Sequence, residues 1–143
     1  MRRALLIGIN NYPTAPLAGC VRDATELSSV LERNGDGSPN FSCKLLTDPP
    51  VSLTKGFLKS QIKELFEGEV DVALLYFSGH GYINSIGGYI VTPDHSEYDE
   101  GVSMDEVLIL ANKSKAKDKI IILDCCHSGH IGTPSTSGDS IAQ

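Results

Sequence analysis

The sequence predicts an α/β fold with a mainly parallel sheet, and three observations carry that prediction. Runs with buried-strand character recur along the 143 residues: RALLIGI (3–9), FSCKLLTD (41–48), DVALLYFSG (71–79) and KIIIL (119–123). Segments with a helical period fall between them. Strand and helix alternate throughout, the pattern of crossover units whose strands run parallel, with helices on both faces and all carboxyl ends on one edge.

Taken in order, the first strand gives way to residues 20–34, where Ala24, Leu27 and Leu31 share one helical face and Gly35 reads as the stop. After the second strand, residues 54–66 set Leu58, Ile62, Leu65 and Phe66 on one stripe behind Thr54, a side chain suited to capping the helix. Beyond the third strand, GYINSIGGYIVTPD (81–94) alternates glycine with β-formers and predicts a small excursion such as a hairpin. Ser103-Met104-Asp105-Glu106 has the form of a capping box opening a helix to about Asn112. The fourth main strand, 119–123, follows. Residues 131–143 have no period and read as a linker; residues 1–130 form the domain.

Composition narrows the function. A chain of this length buries roughly 68–70% of its unfolded surface, enough for a real core. With 41% hydrophobic and 21% charged residues and a net charge of −6, it lacks the basic surface that binds phosphate backbones, so nucleic acid is not an expected partner. The apolar run at the start is six residues long and meets Asn10, Asn11, Tyr12 and Pro13 at once, which suits a strand rather than a signal peptide. No stretch approaches the ~20 apolar residues of a membrane span. Four cysteines, at 20, 43, 125 and 126, are few for a disulfide scaffold, and an adjacent pair makes a poor bridge. A reducing, cytoplasmic setting is expected.

Chemistry concentrates at two strand ends. The third strand leads into Ser78-Gly79-His80-Gly81 and the fourth into Asp124-Cys125-Cys126-His127-Ser128-Gly129. Both are expected as loops on the edge where open α/β sheets bind ligands. If the two strands are neighbours, His80 and one thiol come within hydrogen-bond reach, and the imidazole can take the proton of a thiol whose ordinary pKa is ~8.5. The flanking glycines would let a substrate backbone approach, and the N–H groups of Gly81 and Cys126 are candidates for an oxyanion hole. A zinc site made from Cys125, Cys126, His127 and His130 is the sharper rival, but adjacent ligands are awkward and no second metal-binding pair completes the set. No metal or other cofactor is expected. Gly79-x-Gly81 lacks the third glycine of a dinucleotide fingerprint, since Asn84 occupies that place, and no Gly-Lys-Ser/Thr follows a strand.

YFSGHG (76–81), followed 46 residues after its histidine by DCCHSG (124–129), behind ALLIGINNY (4–12) and LAGCVRDA (17–24), resembles the caspase-like cysteine peptidases, with metacaspases and their prokaryotic relatives nearest. The resemblance runs from about Arg3 to Gly129 and implies a three-layer sandwich. It implies that Cys126, the thiol directly before His-Ser-Gly, is the nucleophile and His80 its partner, forming a thioester acyl-enzyme. It also implies cleavage after Arg or Lys, because the acids that line the family's primary pocket correspond to Asp23 and Asp124. The caspase pentapeptide Gln-Ala-Cys-x-Gly is replaced here by Asp-Cys-Cys-His-Ser-Gly.

Other readings stay open. Asp23 could be an ordinary first-turn carboxylate on a helix dipole, and Arg22 beside it could bind an acidic substrate, giving cleavage after Asp. The chain could be a catalytically idle regulatory or assembly module, or its thiol pair a redox sensor. Calcium-dependent metacaspases carry an acid-rich insertion after the histidine and a further acid beyond the nucleophile, whereas here 81–94 has one acid, Asp94, and HSGHIGT after Cys126 has none, so calcium is not expected to be required. The resemblance further implies a large-subunit segment, to be joined by a C-terminal small-subunit segment or chain pairing beside the fourth strand, whose edge of isoleucines would otherwise be bare.

Overall fold

The computed structural model describes residues 1–126, with Cys126 placed by its backbone. The predicted linker at 131–143 lies outside these residues, as do His127, Ser128, Gly129 and His130. The described chain runs β1 (Arg2–Ile9), α1 (Cys20–Leu31), β2 (Phe41–Asp48), α2 (Lys55–Leu65), β3 (Val72–Ile83), β4 (Gly88–Ser96), β5 (Asp99–Ser103), α3 (Met104–Lys113) and β6 (Asp118–Cys126).

Four strands form the parallel body predicted from the sequence. β1 pairs with β2 on one side and β3 on the other, and β3 pairs with β6, all parallel. β1 and β3 therefore occupy the centre, which is why LLIGI and ALLYF read as nearly unbroken apolar runs: a parallel strand covered on both faces has no polar side to show. One face carries α2 and α3 over a core that includes Leu5, Ile7, Leu58, Ile62, Leu75, Phe77 and Val107. The other carries α1, whose Ala24 packs with Ala4, Leu6, Leu74 and Tyr76, with Leu27 and Leu31 at the margin. A three-layer sandwich results.

Local signals were met unevenly. The hydroxyl of Thr54 accepts from the N–H of Phe57 and caps α2. Ser103 precedes α3 as expected but makes no side-chain cap bond; it is the last residue of β5, in register with Tyr89, and its backbone is committed to the ladder. α1 stops at Leu31, short of Gly35, because the chain turns through a bridge between Arg33 and Pro39.

The first expected loop is strand, and so are the described residues of the second, Asp124 to Cys126. β3 continues through Ser78-Gly79-His80-Gly81 to Ile83 because β4 gives its last residues an antiparallel partner, Gly81 opposite Ile90 and Ile83 opposite Gly88. The hairpin predicted within 81–94 is this turn of β3 back into β4, and β5 adds a further antiparallel strand beside β4. β6 likewise runs through Asp124 and Cys125 to Cys126, held in register along β3. Among the described residues no helix is long and apolar enough to cross a membrane.

Candidate active site

The parallel register of β3 and β6 sets Ser78 opposite Asp124, Gly79 opposite Cys125 and His80 opposite Cys126. Adjacent strands lie ~4.8 Å apart, so the histidine and the cysteine chosen from the sequence are nearest neighbours across one rung. Cys125, opposite Gly79, packs against the larger core. Gly81 stands one residue past His80, on the first rung of the antiparallel ladder.

His80 is fully buried, and the segment after β1 surrounds it. Its Nε2 lies 2.7 Å from the carbonyl oxygen of Ala15. A carbonyl only accepts, so Nε2 carries the hydrogen, and in the neutral ring Nδ1 is the basic nitrogen. The ring of Tyr12 packs against the imidazole with centroids 4.5 Å apart. Its hydroxyl accepts from the main-chain N–H of His80 at 3.0 Å and donates to the carbonyl of Val91 at 2.9 Å. Tyr12 thus ties the first strand's exit to β3 and β4 around the candidate base.

That tie explains a glycine. A Cβ on Gly79 would stand 2.6 Å from both the Tyr12 hydroxyl and the Phe77 ring. The glycine makes room for the protein's own tyrosine, where the sequence suggested room for a substrate backbone.

Asn10 anchors the same segment. Its side-chain oxygen accepts from the N–H groups of Cys20 and Val21, its carbonyl from those of Tyr12 and Leu17, and its own N–H donates to Asp48. The first two bonds satisfy donors at the start of α1 that a helix cannot satisfy itself. Buried Asp48 braces the other side, accepting from the Asn11 amide and the N–H of Leu53.

The predicted acids come together on the α1 side of the sheet. Gly8, opposite Ser78, admits the start of α1 so closely that a Cβ there would lie 2.5 Å from the Cys20 carbonyl oxygen and 2.9 Å from Ala24. Asp23 stands in that first turn. Asp124 accepts a hydrogen bond of 3.1 Å from the hydroxyl of Tyr76. Burial pushes the Tyr76 phenol up to about 12, against a bond from Ser78 that stabilises the phenolate, with further upward pushes from Asp124 and then from the charge of Asp23. The phenol therefore feels both carboxylates. Arg22 is exposed and bound to Glu26 at 3.0 Å.

Tyr12, Ala15, Asn10 and Tyr76 lie outside the residues that the sequence singles out for the site. NNYP directly after a strand was the available signal for the first group, and a tyrosine amid the apolar residues of the third strand was the signal for Tyr76. His95, on β4, is a further titrating neighbour, depressed chiefly by burial and then by the charge of His80.

This arrangement lies on a caspase-like sandwich, and the family assignment follows from the sequence as a whole. The chain belongs to the caspase domain family, whose sequence model matches residues 1–142. Among solved structures it is similar to protein GSU0716 from Geobacter sulfurreducens, with a TM-score of 0.68 and 20% identity over 92% of this chain and 53% of that one. At that identity the likeness speaks to the fold alone, and this chain spans about half the length of that protein. No curated protein matches the sequence.

Proposed function

We propose that the chain is the large catalytic segment of a cysteine endopeptidase that cleaves after Arg or Lys, with Cys126 as nucleophile and His80 as base. The supporting observation is the pairing of His80 with Cys126 across one rung while the His80 ring is oriented by the Ala15 carbonyl. A base held by a third group beside a nucleophile is the general form of an activated nucleophile.

The Cys126 thiol gives its proton to Nδ1 of His80, and the thiolate attacks the scissile carbonyl. The resulting oxyanion is met by the N–H groups of Gly81 and Cys126; one such donor is typically worth about 2.7–4 kcal/mol. As the C–N bond breaks, the imidazolium returns its proton to the leaving amine, and a thioester remains. Water, deprotonated by His80, then attacks the thioester and releases the carboxylic acid and the thiol. Asp23 and Asp124 receive the cationic side chain before the scissile bond. Cleavage after Asp is less well supported, since Arg22 already has Glu26 as its partner.

The partner expected beside β6 is also a proposal. Among the described residues β6 pairs only with β3, and Ile120, Ile122 and Leu123 are 40%, 40% and 37% exposed. A C-terminal small-subunit segment or chain would cover that edge, and it would be needed for full activity. We place the enzyme in the cytoplasm, where a reactive thiol stays reduced. The test is cleavage of a peptide library by the protein and its Cys126→Ala variant. Cuts after Arg and Lys that vanish with the thiol support the proposal. A protein that cuts nothing, and whose cysteines react with an alkylating reagent no faster than ordinary thiols, would be the idle module instead.

A further inference from the structure

Resting on the basic-residue specificity proposed above, we infer that Tyr76 is a positioning residue of the substrate pocket: its hydroxyl holds Asp124 in the orientation from which the carboxylate receives the substrate's cation. Asp124 is on β6, which among the described residues pairs only with β3, and the neighbouring Ile122 on the same face is 40% exposed. Left alone, an exposed carboxylate turns among its rotamers, and binding a cation would carry the cost of ordering it. Tyr76 removes that freedom. The phenol is rooted in the central strand β3, its residue is nearly buried, and it packs with Leu6, Ala24 and Leu74. Its hydroxyl donates to Oδ2 of Asp124, so Oδ1 is the oxygen left to face a guanidinium or ammonium.

With a pKa of about 12, the phenol remains a donor at every pH where a peptidase of this kind would work.

The test compares wild type, Tyr76→Phe, Asp124→Asn and the double variant on peptides differing only in Arg or Ala before the scissile bond, with binding of benzamidine, a planar cation, measured separately. For Tyr76→Phe, KM for the arginine peptide is expected to rise roughly 5- to 10-fold, the scale of one hydrogen bond to a charged group. Benzamidine should weaken in parallel, while kcat and cleavage of the alanine peptide change little. In the Asp124→Asn background the same substitution should add nothing further. Unchanged KM and benzamidine binding in Tyr76→Phe would overturn the inference, as would equal loss on both peptides or a failure to fold, which would make Tyr76 a packing residue. A wild-type protein without preference for the arginine peptide overturns the specificity reading and this inference with it, a failure visible before any variant is made.

Discussion

The Tyr12 hydroxyl is shared between two strands: it accepts from the N–H of His80 on β3 and donates to the carbonyl of Val91 on β4. Removing that oxygen leaves two buried backbone groups without this partner, each costing about 1–3 kcal/mol. Tyr12→Phe should therefore lower stability by about 2–6 kcal/mol and reduce kcat more than KM, because the displaced groups flank the candidate base. Gly79→Ala should act similarly, driving a methyl into the same hydroxyl and the Phe77 ring at about 1–3 kcal/mol. Thermal melts and peptidase kinetics on both variants check this; a Tyr12→Phe protein with unchanged melting and turnover would contradict it.

The two adjacent cysteines should behave differently. Cys126→Ala should lower kcat/KM by a factor on the order of 10³ or more, and His80→Ala by nearly as much, since members of one catalytic unit fail together. Cys125→Ala should retain most activity and lose some stability, because Cys125 packs against the core. Equal loss from both cysteine variants would refute the assignment of Cys126.

Specificity should follow the acids and not the neighbouring arginine. Asp23→Asn and Asp124→Asn should each lower kcat/KM for arginine and lysine peptides roughly 10- to 100-fold, the scale of a charge-assisted hydrogen bond. Arg22→Ala should change little, because it removes only an exposed, solvent-screened pair with Glu26. A strong effect of Arg22→Ala together with cleavage after Asp would reverse the polarity of the pocket.

The parallel sheet was readable because β1 and β3 are covered on both faces, so burial was written into LLIGI and ALLYF as composition. The pairing of His80 with Cys126 followed once β3 and β6 were neighbours. Where strands end was less readable: Gly79 and Gly81 are turn formers by propensity, and only the partner strand β4 explains why the chain stays extended through them. Tyr12 and Ala15 were harder still. Their roles depend on a segment folding back over a strand end that lies about 65 residues away in sequence, and a side chain that bonds two distant backbone groups leaves no periodic trace. Tyr76 was hidden differently, since a tyrosine in an apolar strand reads as core until the carboxylate above it is placed.

His95 supplies a prediction about pH. Its imidazolium is disfavoured first by burial and then by His80, with Asp94 and Glu100 pulling the other way, and the net shift is below the usual 6.5. A group whose folded pKa is depressed contributes stability above its unfolded pKa that is lost as pH falls through the folded value. The protein should therefore lose stability as the pH drops below about 6.5, and His95→Gln should blunt that part of the loss. Replacing His80 by alanine removes one of the influences that oppose protonation, so the His95 midpoint should rise in that variant. NMR titration of the imidazole resonances reads both effects. A wild-type midpoint at or above 6.5, or one that ignores the loss of His80, would show that the two rings do not share a field across β3 and β4.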